Sequence, residues 1–184
     1  MPIYRIPGEN TPLTQGDIFS NIPYWRPHRK SKNHPWPSPR QRGNIVLDLQ
    51  TSVFAILATQ TCDIEHANEF LFIVAMPAEE VAQALEANIE HPISETEFRR
   101  WIVNNLHPRY HFFEQFELNG QVIIPELVAN FRRPFTLRSE YVNEKLLPDG
   151  DRILCLEEMY GAEFGNRLGH YFARVATDRN MQSL

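Results

Sequence analysis

The chain has 184 residues, of which 42% are apolar and 22% charged, the balance of a globular protein whose core needs no disulfide or metal staple. No run of about 18 apolar residues occurs, which excludes a membrane-spanning helix, and the opening MPIYRIPGENTPL lacks the basic-then-apolar pattern of a secretion signal. The net charge is −5, and the two cysteines, Cys62 and Cys155, are too few for a disulfide framework, so a reducing cytoplasmic setting is expected.

In chain order, Leu13–Phe19 reads as a turn at Gly16-Asp17 running into a short strand that Ile22 and Tyr24 continue. The next segment, residues 26–42, holds six basic residues (Arg26, Arg29, Lys30, Lys32, Arg40 and Arg42) and no acid. It also carries Trp36, His28, His34 and four prolines, with Tyr24 and Trp25 just before it. Two readings stand side by side. Basic groups beside aromatics suit phosphate and stacked bases, whereas a proline-stiffened solvated loop needs no ligand. Asn44–Leu49 and Ser52–Thr59 are expected as two strands joined by a tight connection at Asp48–Ser52, the second apolar enough for burial on both faces. Phe70–Met76 is a further apolar strand ending at Pro77.

The periodicity then becomes helical. Ala78–Asn88 places Val81, Ala82 and Leu85 at helical spacing behind Glu79 and Glu80, which suit the positive end of the helix dipole. Ser94-Glu95-Thr96-Glu97 has capping-box spacing, with Phe98, Trp101, Ile102 and Leu106 following on one face up to Pro108. These predict a helical hairpin packed on one edge of the sheet. Strands are expected again over Arg109–Leu118 and Gln121–Phe131, joined by Asn119-Gly120, a type I′ hairpin signal, with Pro125 at an edge or bulge. Arg133–Val142 reads as extended, Leu147–Gly150 as a turn and Arg152–Leu156 as a last strand. Glu157–Val175 is an amphipathic helix whose Gly161, Gly165 and Gly169 fall four apart, which implies close approach to another element or a break.

Several of these pieces, in order, resemble the PemK/MazF-like toxin barrel shared with the CcdB gyrase poisons. They are Gly16-Asp17-Ile18, the basic segment, Phe54–Asp63, Phe70–Met76, Ile123-Ile124-Pro125-Glu126-Leu127 and the terminal helix, together residues 13–77 and 121–175. Gln15–Phe19 with Thr59–Ile64 also resembles a motif pair of uncharacterised bacterial or phage-associated proteins, which implies no activity. The toxin resemblance implies a small, partly open antiparallel β-barrel that dimerises, the glycine face of the last helix being one contact for a homodimer. It also implies RNA cleavage, with Thr61 as the hydroxyl residue and Arg26 or Arg29 as the cation steadying charge on the attacked phosphate. The first loop here is longer and richer in proline than the family's, so no single arginine aligns with the family's position.

Thr59–His66 is the densest polar stretch. Cys62 and His66 would share a face if the segment turned helically, as nucleophile and base or as ligands completed by His28 or His34. The plain alternative packs Cys62 as a small hydrophobe and lets Asp63 cap the turn. His107 and His111 are expected to be structural or solvated; Arg132, Arg133 and Arg138 either meet the basic segment across the barrel or, taken alone, are surface residues paired with Glu126 or Glu140. The chain lacks a phosphate-cradling Gly-rich loop, and neither a metal nor a cofactor is expected.

The expectation is therefore one α+β domain over 1–184: barrel strands in 13–77 and 109–156, a helical insertion over 78–107 and a terminal helix over 157–176. Its leading function is RNA binding, and possible cleavage in the manner of an endoribonuclease, through Arg26, Arg29, Lys30, Lys32, Trp36, Arg40 and Arg42 with Thr61, Cys62, Asp63 and His66 beside them. The alternative is a non-catalytic protein-interaction module of a phage, plasmid or defence-associated system.

Overall fold

A computed structural model describes residues 2–29, 45–86 and 93–181, with the backbone alone over 25–29, 45–53 and 175–181. Among the described residues nine strands follow in order: β1 (Tyr4–Arg5), β2 (Ile18–Arg29), β3 (Ile45–Leu57), β4 (Glu69–Pro77), β5 (Tyr110–Phe113), β6 (Phe116–Leu118), β7 (Gln121–Ile124), β8 (Leu127–Arg138) and β9 (Arg152–Leu156). Seven of them form one antiparallel sheet in the order β1-β9-β2-β3-β4-β8-β5, and β6 and β7 form a separate hairpin. The fold is a mixed α and β one with an antiparallel sheet. That sheet is not a closed barrel, because β1 and β5 end it without pairing to each other.

The two strands expected over Asn44–Leu49 and Ser52–Thr59 are one in the described residues, β3 over Ile45–Leu57. No Gly or Pro lies between Ile45 and Leu57 to turn the chain, and the ladder to β2 runs from Arg29↔Ile45 to Ile18↔Ile56. The irregularities fall on β2, around Asn21 at φ 54°. The expected burial of the end of β3 on both faces is observed. Ile56 and Ala58 join a core with Phe113, Phe131 and Phe164, while Ala55 and Leu57 join another with Phe19, Phe70 and Phe72.

Arg109–Leu118 divides into β5 and β6, and Gln121–Phe131 divides at Pro125-Glu126 into β7 and β8. Between β6 and β7, Asn119 (φ 52°) and Gly120 (φ 79°) supply the two positive φ values of the predicted turn. β8 continues through Pro134 to Arg138, and its register against β4 shifts between Ile73 and Ala75, where the proline's missing N–H is tolerated. What was expected as extended chain to Val142 becomes a short helical segment instead, Ser139–Tyr141 running on as a wider turn through Val142–Leu146. It drops Val142 and Leu146 into the core below Phe19 and Phe72.

Helix α1 (Ala78–Glu86) and helix α2 (Glu95–Phe98) form the insertion, and α2 carries both halves of the predicted capping box at Ser94 and Glu97. Past Phe98 the helix widens to i→i+5 bonding over Arg99–Val103. Phe98 and Ile102 stay buried against β5 and β8, but the wider turn rotates Trp101 outward, and Leu106 beyond it is also exposed. Helix α3 (Glu158–Met181) closes the opposite face through Phe164 and Leu168. No described helix is long and apolar enough to cross a membrane.

Candidate functional site

The two polar motifs singled out in the sequence meet in space. Gly16, at φ 95°, makes the turn before β2, and its N–H donates to the Leu57 carbonyl at 2.8 Å while the Leu57 N–H donates back to the Asp17 carbonyl at 2.8 Å. This places Gln15 over the end of β3. Its side-chain amide donates to the Ala58 carbonyl (2.8 Å), and its backbone N–H donates to the Thr61 hydroxyl oxygen (3.1 Å). Thr59 accepts from the Leu71 N–H at 2.7 Å, which anchors the start of β4. The glycines of α3 belong to the same junction. A Cβ on Gly161 would stand 2.8 Å from the Gln15 carbonyl oxygen, and one on Gly165 would overlap the Gln15 side chain. The close approach implied by the four-residue spacing is thus real for Gly161 and Gly165, and Gln15 is what approaches. Gly169 has open space around it.

Below the turn lies a buried ion pair. Arg152 Nη2 is 2.7 Å from Asp17 Oδ2, and the Asp17 side chain is fully buried. Thr14 donates to the carboxylate twice, from its N–H and from its hydroxyl, both at 2.9 Å. The guanidinium also donates to the carbonyls of Thr11 (2.6 Å) and Pro12 (2.7 Å) and to Cys155 Sγ (3.1 Å). Burial first, then the charge of Asp17, pushes the Cys155 thiol up to about 12, so it remains a protonated, unreactive thiol. Satisfied on nearly every side, this group is a structural clamp between the two ends of the fold.

Residues Thr61–His66 form a 3-10 helix with no buried residue. Cys62 is exposed, which corrects its expected packing as a small hydrophobe. Its Sγ lies 3.6 Å from Asp63 Oδ1 and 3.8 Å from Gln60 Oε1. Asp63 joins the turn through its backbone, its N–H donating to the Gln60 carbonyl (2.9 Å), as expected of it. At three residues per turn, positions i and i+4 point about 120° apart, so Cys62 and His66 do not share a face. Among the described residues no group of three or more His, Cys, Asp or Glu could hold a metal ion.

The ladder sets the expected arginines apart from Thr61. Arg26 stands opposite Asp48 and Arg29 opposite Ile45 at one end of β3, whereas Thr61 follows the other end. From Asp48 to Leu57 the strand covers nine residue steps, about 30 Å of extended chain. The structure does not bring Thr61 together with Arg26 or Arg29. Lys30, Lys32, Trp36, Arg40 and Arg42 lie outside the described residues.

The neighbourhood of His107, Arg109 and His111 is more crowded than the sequence suggested. Arg167 of α3 donates to the carbonyls of Asn105 (2.6 Å), Tyr110 (2.8 Å) and His107 (3.3 Å), holding the approach to β5 against the helix. His111 is buried between Phe113 and Phe164, with ring centroids 4.8 and 5.4 Å away. Its Nδ1 has no partner among the described residues, and burial with the Arg167 charge lowers its pKa to about 3. Arg132 and Arg133 make no ion pair with Glu126 or Glu140, the partners expected for them. Arg132 Nε instead donates to the Tyr171 hydroxyl (3.3 Å), and Arg133 Nη1 lies 3.2 Å from Met76 Sδ. No family model, curated protein or solved structure matches this chain.

Proposed function

We propose that this chain is a nucleic-acid-binding domain that takes RNA on the β2–β3 ribbon and the basic segment the ribbon carries. One observation supports this reading above the others. β3 pairs with β4 only over Phe54–Leu57, while its ladder with β2 runs on through Tyr24↔Gln50 to Arg29↔Ile45. Among the described residues, the far half of the ribbon therefore continues past β4 with no strand on its β3 edge, leaving that edge open to a strand of RNA. The base of the ribbon is fixed, because the Tyr24 ring packs 5.4 Å from Phe135. The six basic residues of 26–42 thus follow in sequence from this ribbon, and their charge, set against the acidic remainder of the chain, draws a polyanion to that end.

The finer form of this proposal is a PemK/MazF-like RNA-cleaving toxin. It asks that Thr61 act near a cation, and the ladder puts Arg26 and Arg29 at the other end of β3, so binding is the activity we assign. Fluorescent single-stranded RNA titrated at two salt concentrations tests it, with wild type beside a variant in which Arg26, Arg29, Lys30, Lys32, Arg40 and Arg42 are all neutralised. Binding that weakens with salt and disappears in the variant is expected. Binding unaffected by those six substitutions, or no binding at low salt, overturns it. In the latter case the protein-interaction reading takes over. Cleavage products in the same samples, lost on Thr61→Ala, would restore the catalytic form, and sedimentation velocity reads the homodimer that the resemblance implies.

A further inference from the structure

Arg109 and Arg132 are gathered where the approach to β5, the middle of β8 and the last helix meet, and Arg133, next in β8, reaches Met76. One amide oxygen organises two of them: Asn130 Oδ1 accepts from Arg109 Nε (3.0 Å) and from the Arg132 backbone N–H (3.1 Å). Arg109 also lies over the Tyr110 ring, 4.9 Å from its centre. Arg132 is held by Tyr171 through its Nε, as described above. In both cases a neutral group grips the Nε, and the terminal nitrogens, the part of the fork that binds oxyanions two at a time, have no partner among the described residues.

Like charges are being held together. Burial lowers the pKa of Arg109, Tyr110 and Tyr171 act against this, and Arg132 and Arg133 lower it further, while among the described residues no carboxylate pairs with the three arginines. Burial and the charges of Arg109 and Arg132 likewise lower that of His107. The His107 Nδ1 accepts from the Arg109 N–H at 3.2 Å, so the neutral ring carries its proton on Nε2, as one more donor. Arg132 is exposed and Arg109 half-buried, so these unused donors face solvent, where an anion can take several charge-assisted hydrogen bonds at once.

We infer that Arg109 and Arg132 form an oxyanion site for a phosphate group, with His107 and Tyr171 at its rim and Arg133 adding to its field. It is separate from the β2–β3 ribbon and does not depend on the reading given to the ribbon. The phosphate belongs either to a small phosphate ester or to the backbone of RNA.

The test is titration of the full chain with inorganic phosphate, followed by the NMR resonances of the arginine Nε–H groups. Saturable shifts of Arg109 and Arg132 are expected, absent when chloride replaces phosphate at equal ionic strength. Arg132→Lys, which keeps the charge and loses the fork, weakens phosphate binding about tenfold. Tyr171→Phe removes the support of Arg132 and guards against a variant that fails to fold. Shifts that chloride reproduces overturn the site, as does unchanged affinity in both variants. Competition by an oligouridylate in the ribbon-neutralised variant assigns the phosphate to RNA, and its failure assigns it to a small ester.

Discussion

The hydroxyl of Tyr4 donates to the carbonyl of Glu114 at 2.7 Å, and this bond joins the two edges of the sheet that have no strand partner. Tyr4 belongs to β1 at one edge, and Glu114 directly follows β5 at the other. The tyrosine ring sits edge-on to Phe116, 5.6 Å away, so the sheet curls until its ends are one side chain apart. Burial and the nearby Glu114 raise the phenol pKa, keeping the proton that makes the bond. Tyr4→Phe removes that part-buried bond between the two sheet edges. A loss of about 1 kcal/mol is expected in urea unfolding, with the slope of the transition unchanged.

The glycines of the last helix separate two effects that usually coincide. Alanine in a helix interior is favoured over glycine by about 1 kcal/mol, and Gly169→Ala, with open space around it, gains up to that amount. Gly161→Ala places a methyl against the Gln15 backbone oxygen, and the helix or the turn has to move. Thermal melts are expected to shift upward for Gly169→Ala and downward for Gly161→Ala.

For the Asp17–Arg152 pair, one-sided removal is the costly change. Arg152→Leu strands a buried carboxylate and costs about 3–5 kcal/mol. A double-mutant cycle with Asp17→Asn is expected to show coupling, the double variant losing less than the sum of the two single ones. Strict additivity in denaturant titrations would contradict the clamp.

His111 gives the fold a dependence on acid. The folded ring takes a proton only near pH 3, whereas an unfolded histidine does so near 6.5. Between those values the unfolded state binds more protons, so stability falls as the pH is lowered through the window, by at most about 1.4 kcal/mol per unit. Stability measured from pH 7 to pH 4 in wild type and His111→Leu checks this, the variant losing the His111 share of the slope.

Features with a local cause were legible in the sequence. Asn119-Gly120 made its hairpin because both residues accept positive φ, and Ser94 with Glu97 capped α2 because their side chains reach each other's backbone. The misreadings arose where long-range pairing overrides local pattern. β3 reads as two strands until β2 lies beside it, and Gln121–Phe131 and Arg133–Val142 read as separate segments until the β4 ladder joins Leu127–Arg138 into one strand across a register shift. The widened turns at Arg99–Val103 and Val142–Leu146 have no residue signature, so the exposure of Trp101 and the helix after Ser139 were both missed. At the junction, the glycine spacing announced a close neighbour, but nothing along the chain identified it as Gln15. The arginine cluster was hidden for the same reason: Arg109, Asn130 and Tyr171 are far apart in sequence, and only the packing of β5, β8 and the last helix unites them.

The pairing of β1 with β9 has a consequence for how the protein is made. The first strand of the fold and the inner edge of β2 are completed by a strand that begins at Arg152, so a ribosome must release most of the chain before the sheet can form in full. Such non-local contacts slow folding, and in the interval β2 offers an unpaired apolar edge at Ile18 and Phe19. The nascent chain is therefore most open to aggregation, and most dependent on holding chaperones, just before its last strand emerges.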